Sequence, residues 1–178
     1  LMLSMHREDQ YAIRSLKGGV DAANGMAGTM LPPVLARLPQ LDVVACHFEP
    51  DGSFPNHEPN PLKDENVHAL VETLVRVKGD LGVAFDGDAD RCMFFDEAGR
   101  RIPSDLMTAF LARHALADAP GAAVVHDLRS SLVVREEVEK AGGRAIRERV
   151  GHSFIKDTMR RERAILGGEV AGHYYFRD

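Results

Sequence analysis

Three aspartates stand at every second position in the segment GVAFDGDADR: Asp86, Asp88 and Asp90. Carboxylates this close repel one another, and they stay ionised together only when something positive neutralises them. A hard divalent cation with oxygen ligands is the simplest source of that charge. The apolar runs Leu81–Phe85 and Cys92–Phe95 flank the aspartates, and their Val and Phe content predicts strands. The sequence therefore predicts a cation-binding loop at the end of a buried strand, where α/β proteins bind ligands.

Other loop types share part of this pattern. An EF-hand fits the three aspartates and has its twelfth position at Glu97, but Arg91 occupies the sixth position, where the turn needs glycine. The predicted flanking strands also argue against an EF-hand, which has helices on both sides. An aspartyl phosphatase, with a DxDx[TV] motif after a strand, fits until Asp90, which stands where Thr or Val belongs. A charged, solvated turn is the remaining alternative, and it costs stability without a cation.

The bulk composition limits the function classes. The chain has 178 residues, 44% of them hydrophobic and 28% charged, which is typical of a globular protein with a real core. The net charge of −5 and the lack of a basic block argue against a nucleic-acid partner. No apolar stretch approaches the roughly 20 residues that cross a bilayer, and residues 2–10 are too polar for a signal peptide. Cys46 and Cys92 lie in predicted strands, so we expect buried thiols in a cytoplasmic protein.

Helices and strands alternate along most of the chain. Residues 1–16 are weakly patterned, and the proline-rich segment 49–61, with His57, predicts a surface loop. We interpret the spacing of Gly25 and Gly28 as a structural turn. The periodicity predicts strands over residues 19–22, 41–47, 81–85, 92–95, 122–127, 144–148, 165–168 and 174–176. It predicts helices over residues 31–38 with Thr29 as cap, 66–78, 104–118 with Ser104 as cap, 132–141 and 151–161. This alternation predicts α/β units in three layers, with a boundary near residues 100–103.

The aspartate loop resembles the metal-binding motif DGDxDR of the phosphohexomutases, the phosphoglucomutase/phosphomannomutase superfamily. Four further stretches resemble that family in its order and at its spacing: residues 20–28 (VDAANGMAG), 55–61 (PNHEPNP), 151–156 (GHSFIK) and 167–178 (GGEVAGHYYFRD). The resemblance covers almost the whole chain. It implies two consecutive three-layer α/β/α domains with mixed sheets. Residues 1–100 would be the second domain of the family, and residues 101–178 an incomplete third domain.

The resemblance also implies roles for the aspartate loop. Asp86, Asp88 and Asp90 would each give one oxygen to Mg²⁺, and the remaining ligand would be a phosphoserine oxygen. Arg91 would pair with phosphate oxygens as a catalytic contact. A TxSHNP-like serine loop does not occur in this sequence.

A second group of residues is implied in sugar recognition. Glu169 and His173 stand in a stretch that resembles the family motif GExSGH, with Ala171 where the family commonly has serine. Gly151 and His152 open a predicted helix, near its positive end, where a phosphate or sugar oxygen is favoured. Arg129 stands where the family has a basic residue. All of these except Ala171 are candidate substrate-binding residues.

The implied activity belongs to a longer enzyme. A phosphohexomutase moves a phosphoryl group between O6 and O1 of a hexose phosphate through a phosphoserine, and this needs four domains around one cleft. We expect the present chain to be a fragment that is inactive by itself, and we expect its incomplete third domain to favour self-association. Two alternatives from other classes stay open: a non-enzymatic module that binds divalent cations, and an aspartyl phosphatase.

Overall fold

The protein is described from a computed structural model, which covers residues 15–177. The weakly patterned start of the chain therefore lies almost wholly outside the described residues. These residues form two compact units. The first unit contains residues 15–89 and 95–100, and the second contains residues 90–94 and 101–177. Each unit is described by itself.

The first part of the chain builds a five-stranded sheet. Its elements are β1 (Leu16–Asp21), α1 (Ala27–Met30), α2 (Pro32–Leu35), β2 (Leu41–Cys46), a 3₁₀ turn (Asp64–Val67), α3 (His68–Val77), β3 (Leu81–Phe85), β4 (Cys92–Phe95) and β5 (Arg101–Ile102). The strand order is β2-β1-β3-β4-β5. β1 is parallel to both of its neighbours: Asp21 lies opposite Cys46 on β2 and opposite Ala84 on β3. The carboxyl ends of three strands therefore meet at one edge of the sheet.

Helix α3 packs closely on this sheet. Leu70 and Leu74, four residues apart on one helix face, are both fully buried. The sheet offers glycines beneath them. A Cβ added at Gly19 would lie 2.8 Å from Leu70 Cδ1, and one added at Gly82 would lie 3.2 Å from Leu74 Cδ2. The helix ends at Val77. The next residue, Lys78, adopts the left-handed conformation (φ 52°) and lets the chain turn into β3.

The predicted helix over residues 31–38 is wrong in its extent. The structure has two single helical turns, over residues 27–30 and 32–35, and Thr29 lies inside the first of them instead of capping a longer helix. Pro32 and Pro33 lack backbone N–H groups, so the hydrogen-bond ladder cannot run through them. The predicted start of the helix at Asn66 is also wrong, because that residue belongs to the 3₁₀ turn before α3. β5 was not predicted, since two residues carry too little pattern.

The second unit contains a four-stranded mixed sheet. Its elements are α4 (Ser104–Asp118), β6 (Ala123–Asp127), α5 (Leu132–Lys140), β7 (Arg144–Glu148), α6 (His152–Glu162), β8 (Leu166–Gly168) and β9 (Tyr174–Phe176). The strand order is β7-β6-β8-β9. β6 is parallel to β7 and β8, whereas β8 and β9 are antiparallel. The predicted alternation of strands and helices is confirmed here almost element by element.

Helices cover both faces of the second sheet. Val124 of β6 packs in one cluster with Leu116 of α4 and Val138 of α5. Its neighbour Val125 faces the other way and packs with Ile155 of α6. Successive side chains of a strand point to opposite faces, so this alternation creates the three layers.

Two further local predictions, one on Ser104 and one on the cysteines, are correct only in part. Ser104 is not a cap: α4 begins at Ser104, and its buried hydroxyl lies 3.4 Å from Met93 Sδ. Both cysteines are free, as predicted, but each is partly rather than fully buried. None of the described helices combines the length and the apolar character that a membrane crossing needs.

The packing of α3 predicts the effect of truncating one of its side chains. Leu74→Ala should lower the free energy of unfolding by about 2–5 kcal/mol, because it leaves a cavity above the sheet. Val75→Ala is the matched control, since that side chain is 55% exposed on the same helix. It should change the free energy of unfolding by no more than about 0.5 kcal/mol. Urea denaturation followed by circular dichroism measures both, and equal losses would contradict the packing described here.

Candidate functional site

The aspartate loop directly follows β3. One carboxylate oxygen from each of Asp86, Asp88 and Asp90 lies within 4.8 Å of the others. Asp86 is buried at the strand end, and the other two are exposed. The Ala89 N–H donates to Asp86 O at 3.2 Å, and Ala89 adopts φ 61°, so the turn folds the three side chains toward one point. Three converging carboxylate oxygens fit a hard cation such as Mg²⁺ or Ca²⁺.

Arg91 follows the aspartates and is partly buried. Its Nε lies 3.9 Å from Asp90 Oδ1. At this distance the contact is an ion pair and not a hydrogen bond. The predicted phosphate contact of Arg91 stays a prediction.

Two loops of the first unit support the aspartate loop. The Met26 N–H donates to Gly87 O at 2.9 Å. Phe54 and Pro59, both from the proline-rich segment 49–61, lie against Gly87: a Cβ added there would be 3.3 Å from Phe54 Cζ and 3.5 Å from Pro59 Cβ. The predicted surface loop thus lies against the aspartate loop.

A cluster of Asp21, His47 and His57 lies at the carboxyl ends of β1 and β2. Asp21 Oδ1 lies 3.0 Å from His47 Nδ1, and Asp21 Oδ2 lies 3.1 Å from His57 Nε2. His57 was predicted to be a loop residue, and Asp21 and His47 were not predicted to be site residues. A usable signal is that Asp21 is the last residue but one of the predicted strand 19–22 and that His47 ends the predicted strand 41–47.

In the second unit, Glu169 and His173 share a tight turn between β8 and β9. The Glu169 N–H donates to His173 O, and the Gly172 N–H donates to Glu169 O, each at 3.0 Å. Gly172 has φ 91°, a conformation that favours glycine, and a Cβ there would lie 2.8 Å from Met93 Cε. The backbone conformation and the close packing therefore both require glycine at this position. The turn thus holds a carboxylate and an imidazole side by side.

The Glu169 carboxylate is buried and held on both oxygens. Its Oε1 accepts the Gly151 N–H at 3.0 Å, and its Oε2 accepts the Tyr175 hydroxyl at 2.6 Å. Burial raises the pKa of Tyr175, and the hydrogen bond to Glu169 raises it further, so the phenol stays neutral and donates. Tyr175 was not among the predicted site residues, although its place on a strand beside the turn could have suggested it.

His173 lies between two carboxylates. Its Nδ1 is 3.2 Å from Glu169 Oε2, and its Nε2 is 3.4 Å from Asp90 Oδ1. The ring stacks on Tyr175 with centroids 6.2 Å apart. An imidazole held between two carboxylates can act as a hydrogen-bond donor to a hydroxyl or phosphate oxygen.

Asp127, at the end of β6, bonds both Arg129 and the turn that carries Glu169 and His173. It is fully buried and accepts hydrogen bonds from Arg129 Nη2 at 2.7 Å and from the Val170 N–H at 3.0 Å. Burial by itself raises the pKa of Asp127. The hydrogen bonds from Arg129 and from the Val170 N–H outweigh it, so the pKa lies below its usual value of 3.8. Arg129 was predicted to be a site residue, whereas Asp127, which holds the Arg129 side chain in place, was not predicted.

The structure therefore links four of the five predicted substrate-binding residues within the second unit. Gly151, with φ 126°, contacts Glu169, which lies beside His173; Arg129 reaches the same turn through Asp127. His152 is exposed at the first position of α6 and lies 3.5 Å from Ser153 Oγ. Their roles in binding stay predictions.

Family comparison agrees with this geometry. The chain matches the models of phosphoglucomutase/phosphomannomutase α/β/α domain II over residues 5–99 and domain III over residues 103–178. The chain belongs to this family. The suspected phosphohexomutase resemblance is confirmed.

Two curated relatives and one solved structure show how close the family members are. The chain is 44% identical over 170 residues to a protein of Xanthomonas campestris pv. campestris named "Phosphohexose mutases", covering 96% of this chain and 38% of the relative. It is 41% identical over 167 residues to the phosphomannomutase of Escherichia coli K12, covering 92% of this chain and 37% of the relative. The crystal structure of a phosphoglucomutase/phosphomannomutase family protein from Burkholderia thailandensis superposes with a TM-score of 0.89 at 34% identity. That match covers 93% of this chain and 36% of the other.

These matches confirm the predicted fold class of two consecutive α/β/α domains. The chain spans less than two-fifths of the length of the relatives it matches.

The contacts of Asp127 predict a pH-dependent contribution to stability. Because folding lowers its pKa, Asp127 stabilises the fold at pH values above 3.8, and this contribution is lost as the pH falls toward the lower pKa of the folded state. Asp127→Asn should lower the free energy of unfolding by about 1–3 kcal/mol at neutral pH, since it weakens the bonds to Arg129 and Val170. As the pH is lowered from about 5 to about 3, the free energy of unfolding of Asp127→Asn should fall less steeply than that of the wild type.

Chemical denaturation at a series of pH values measures both effects. Asp157→Asn is the control, because that side chain is 73% exposed and pairs only loosely with Arg161 on the same helix. An Asp127→Asn variant with the pH profile of the wild type would contradict the assigned role of the Asp127 carboxylate.

Proposed function

We propose that this chain supplies the metal-binding and sugar-recognising parts of an enzyme that interconverts hexose 6-phosphate and hexose 1-phosphate. The observation that carries the proposal is the convergence of Asp86, Asp88 and Asp90 at one point in a member of the phosphoglucomutase/phosphomannomutase family. The first domain would run to about residue 100, and the second would begin at residue 101. We place the enzyme in the cytoplasm.

The three aspartates would hold Mg²⁺ through one oxygen each. When bound, the ion supplies positive charge against the phosphoryl group that is transferred. Asp86 is fixed at the buried strand end, while Asp88 and Asp90 lie on the exposed turn. Because Asp88 and Asp90 are exposed, these residues would leave room for a phosphoserine oxygen as a further ligand, which would come from a part of the enzyme outside these 178 residues. Arg91 would then pair with phosphate oxygens.

The second group would bind the hexose. Each Glu169 oxygen accepts one hydrogen bond within the protein and keeps a further lone pair for a sugar hydroxyl. His173 would donate to a neighbouring hydroxyl. His152 and the free N–H groups at the start of α6 would receive a phosphate or sugar oxygen. Arg129, 43% exposed and anchored on Asp127, would bring a fixed positive charge to the phosphate.

Self-association is a further part of the proposal. β9 is an edge strand of the second sheet, and its Phe176 is 46% exposed. An unpaired edge next to an exposed aromatic side chain favours pairing with another copy.

The metal assignment predicts weaker Mg²⁺ binding when an aspartate is removed. Asp86→Asn should weaken Mg²⁺ binding at least about tenfold, a loss of about 1.4 kcal/mol, because the site loses one anionic ligand. Asp42→Asn is the control, since Asp42 is 66% exposed and makes a long contact of 3.9 Å with Lys17 Nζ. Isothermal titration calorimetry measures the affinities. Equal Mg²⁺ affinity in the wild type and in Asp86→Asn would contradict the assignment.

The proposal also predicts that the 178-residue chain binds hexose phosphate without converting it. A coupled assay with glucose 1-phosphate and mannose 1-phosphate should show no turnover, because the serine nucleophile would come from elsewhere in the enzyme. Calorimetry with the 6-phosphates should show binding, weakened at least about tenfold by Glu169→Gln. His114→Gln is the control, since this exposed ring lies on α4 and its Nδ1 is 2.9 Å from Phe110 O of the same helix.

The outcomes separate the alternatives. Turnover by the chain would contradict the proposed external nucleophile. Mg²⁺ binding without any hexose phosphate binding would favour the non-enzymatic cation module. Hydrolysis of a generic phosphate ester that is lost in Asp86→Asn would favour the aspartyl phosphatase.

A further inference from the structure

The cluster of Asp21, His47 and His57 brings three potential metal ligands together. One carboxylate oxygen and one imidazole nitrogen from each histidine lie within 4.8 Å of one another. Asp21 is 1% exposed, and the two side chains that face it are 20% and 13% exposed. The three residues come from β1, from the end of β2 and from the proline-rich segment 49–61. The cluster thus joins three separate parts of the first unit.

A neutral His57 ring cannot satisfy both of its hydrogen-bonding contacts. Its Nδ1 lies 2.8 Å from Glu58 O, and its Nε2 lies 3.1 Å from Asp21 Oδ2. Both oxygens only accept hydrogen bonds, and a neutral imidazole has one N–H and one lone pair. Either tautomer therefore leaves a lone pair facing an acceptor. A positive charge at this contact, either a metal ion or a second proton, resolves the conflict.

The surroundings fit a metal ion. An imidazole that binds a metal through Nε2 usually donates its Nδ1–H to a carbonyl or carboxylate, and Glu58 O supplies that acceptor. Asp21 is oriented in turn by the Ala23 N–H, 2.8 Å from Oδ1. His47 Nδ1 can serve Asp21 as an N–H donor or, beside a metal ion, as a second nitrogen ligand, and it lies close enough to the other two residues for all three to reach one ion.

We propose that Asp21, His47 and His57 bind a divalent transition metal ion of the Zn²⁺ class, at a site separate from the aspartate loop. Two imidazoles and one carboxylate suit Zn²⁺, whereas Mg²⁺ prefers oxygen ligands. The remaining coordination position would be taken by water at the partly exposed side of the rings.

The bound ion would fasten the segment 49–61 to the ends of β1 and β2. The Asn24 side chain already ties this segment down, donating to Glu49 O and accepting from Asn56 Nδ2, each at 2.8 Å. Phe54 and Pro59 of the same segment lie against Gly87. A metal ion at the cluster would therefore stabilise the support of the aspartate loop. This inference does not depend on the proposed mutase activity.

The test is a titration of the 178-residue chain with Zn²⁺ and with Co²⁺. It is carried out in an Asp86→Asn/Asp88→Asn background, so that the aspartate loop does not contribute. We expect one Zn²⁺ per chain and a visible Co²⁺ absorption band from nitrogen ligands. His57→Asn and, separately, His47→Asn should weaken binding at least about tenfold. His68→Asn is the matched control, because this histidine of the same unit has a side chain that is 77% exposed.

Several results would overturn the proposal. Zn²⁺ binding that is absent, or that is the same in His57→Asn and His68→Asn, would do so. So would nitrogen NMR of the His57 ring that shows protons on both nitrogens with Zn²⁺ present, since the charge would then be a proton. Circular dichroism of each variant without metal checks that it folds. If both cluster variants unfold, the Co²⁺ spectrum of the background protein still decides the outcome.

Discussion

A buried carboxylate at the carboxyl end of a central parallel strand organises the loops of each unit. Asp21 ends β1 and Asp127 ends β6; both are at most 1% exposed. Each accepts the N–H of the residue two positions later at 2.8 Å. Burying a carboxylate costs free energy unless it is hydrogen-bonded and neutralised, so each aspartate must gather donors and a positive group around it. The loops take their positions from that requirement.

The two aspartates meet the requirement with different partners. Asp127 takes a guanidinium from its own loop and an N–H from the turn of Glu169 and His173. Asp21 takes two imidazoles from more distant segments. In the second unit this arrangement brings a basic side chain next to the candidate sugar loop. In the first unit it holds the segment that supports the aspartate loop, and it creates a ligand set that differs from the all-oxygen set of Asp86, Asp88 and Asp90.

The candidate substrate group depends on contacts that restrict each side chain. Tyr175 and the Gly151 N–H hold the Glu169 carboxylate, so Glu169 presents its remaining lone pairs in one direction. Ala171 lies in the same turn, where the family commonly has serine, and it offers no hydroxyl. The chain thus keeps the charged and aromatic side chains of the turn and lacks one neutral polar group.

Residue patterns were enough to predict the elements of the second unit and the position of the aspartate loop. Helix and strand periodicity is local, and the three aspartates lie within five residues, so one local turn brings their carboxylates together. It also identified the family, because several separated motifs share one order. Local patterns assigned Thr29 and Ser104 as caps, whereas Thr29 lies inside a helical turn and the Ser104 hydroxyl contacts Met93 Sδ. Only the tertiary structure joined His57 to Asp21, 36 residues away, and Tyr175 to Glu169. Those pairs depend on which strands lie side by side and in what register, and this is decided by packing across the whole unit.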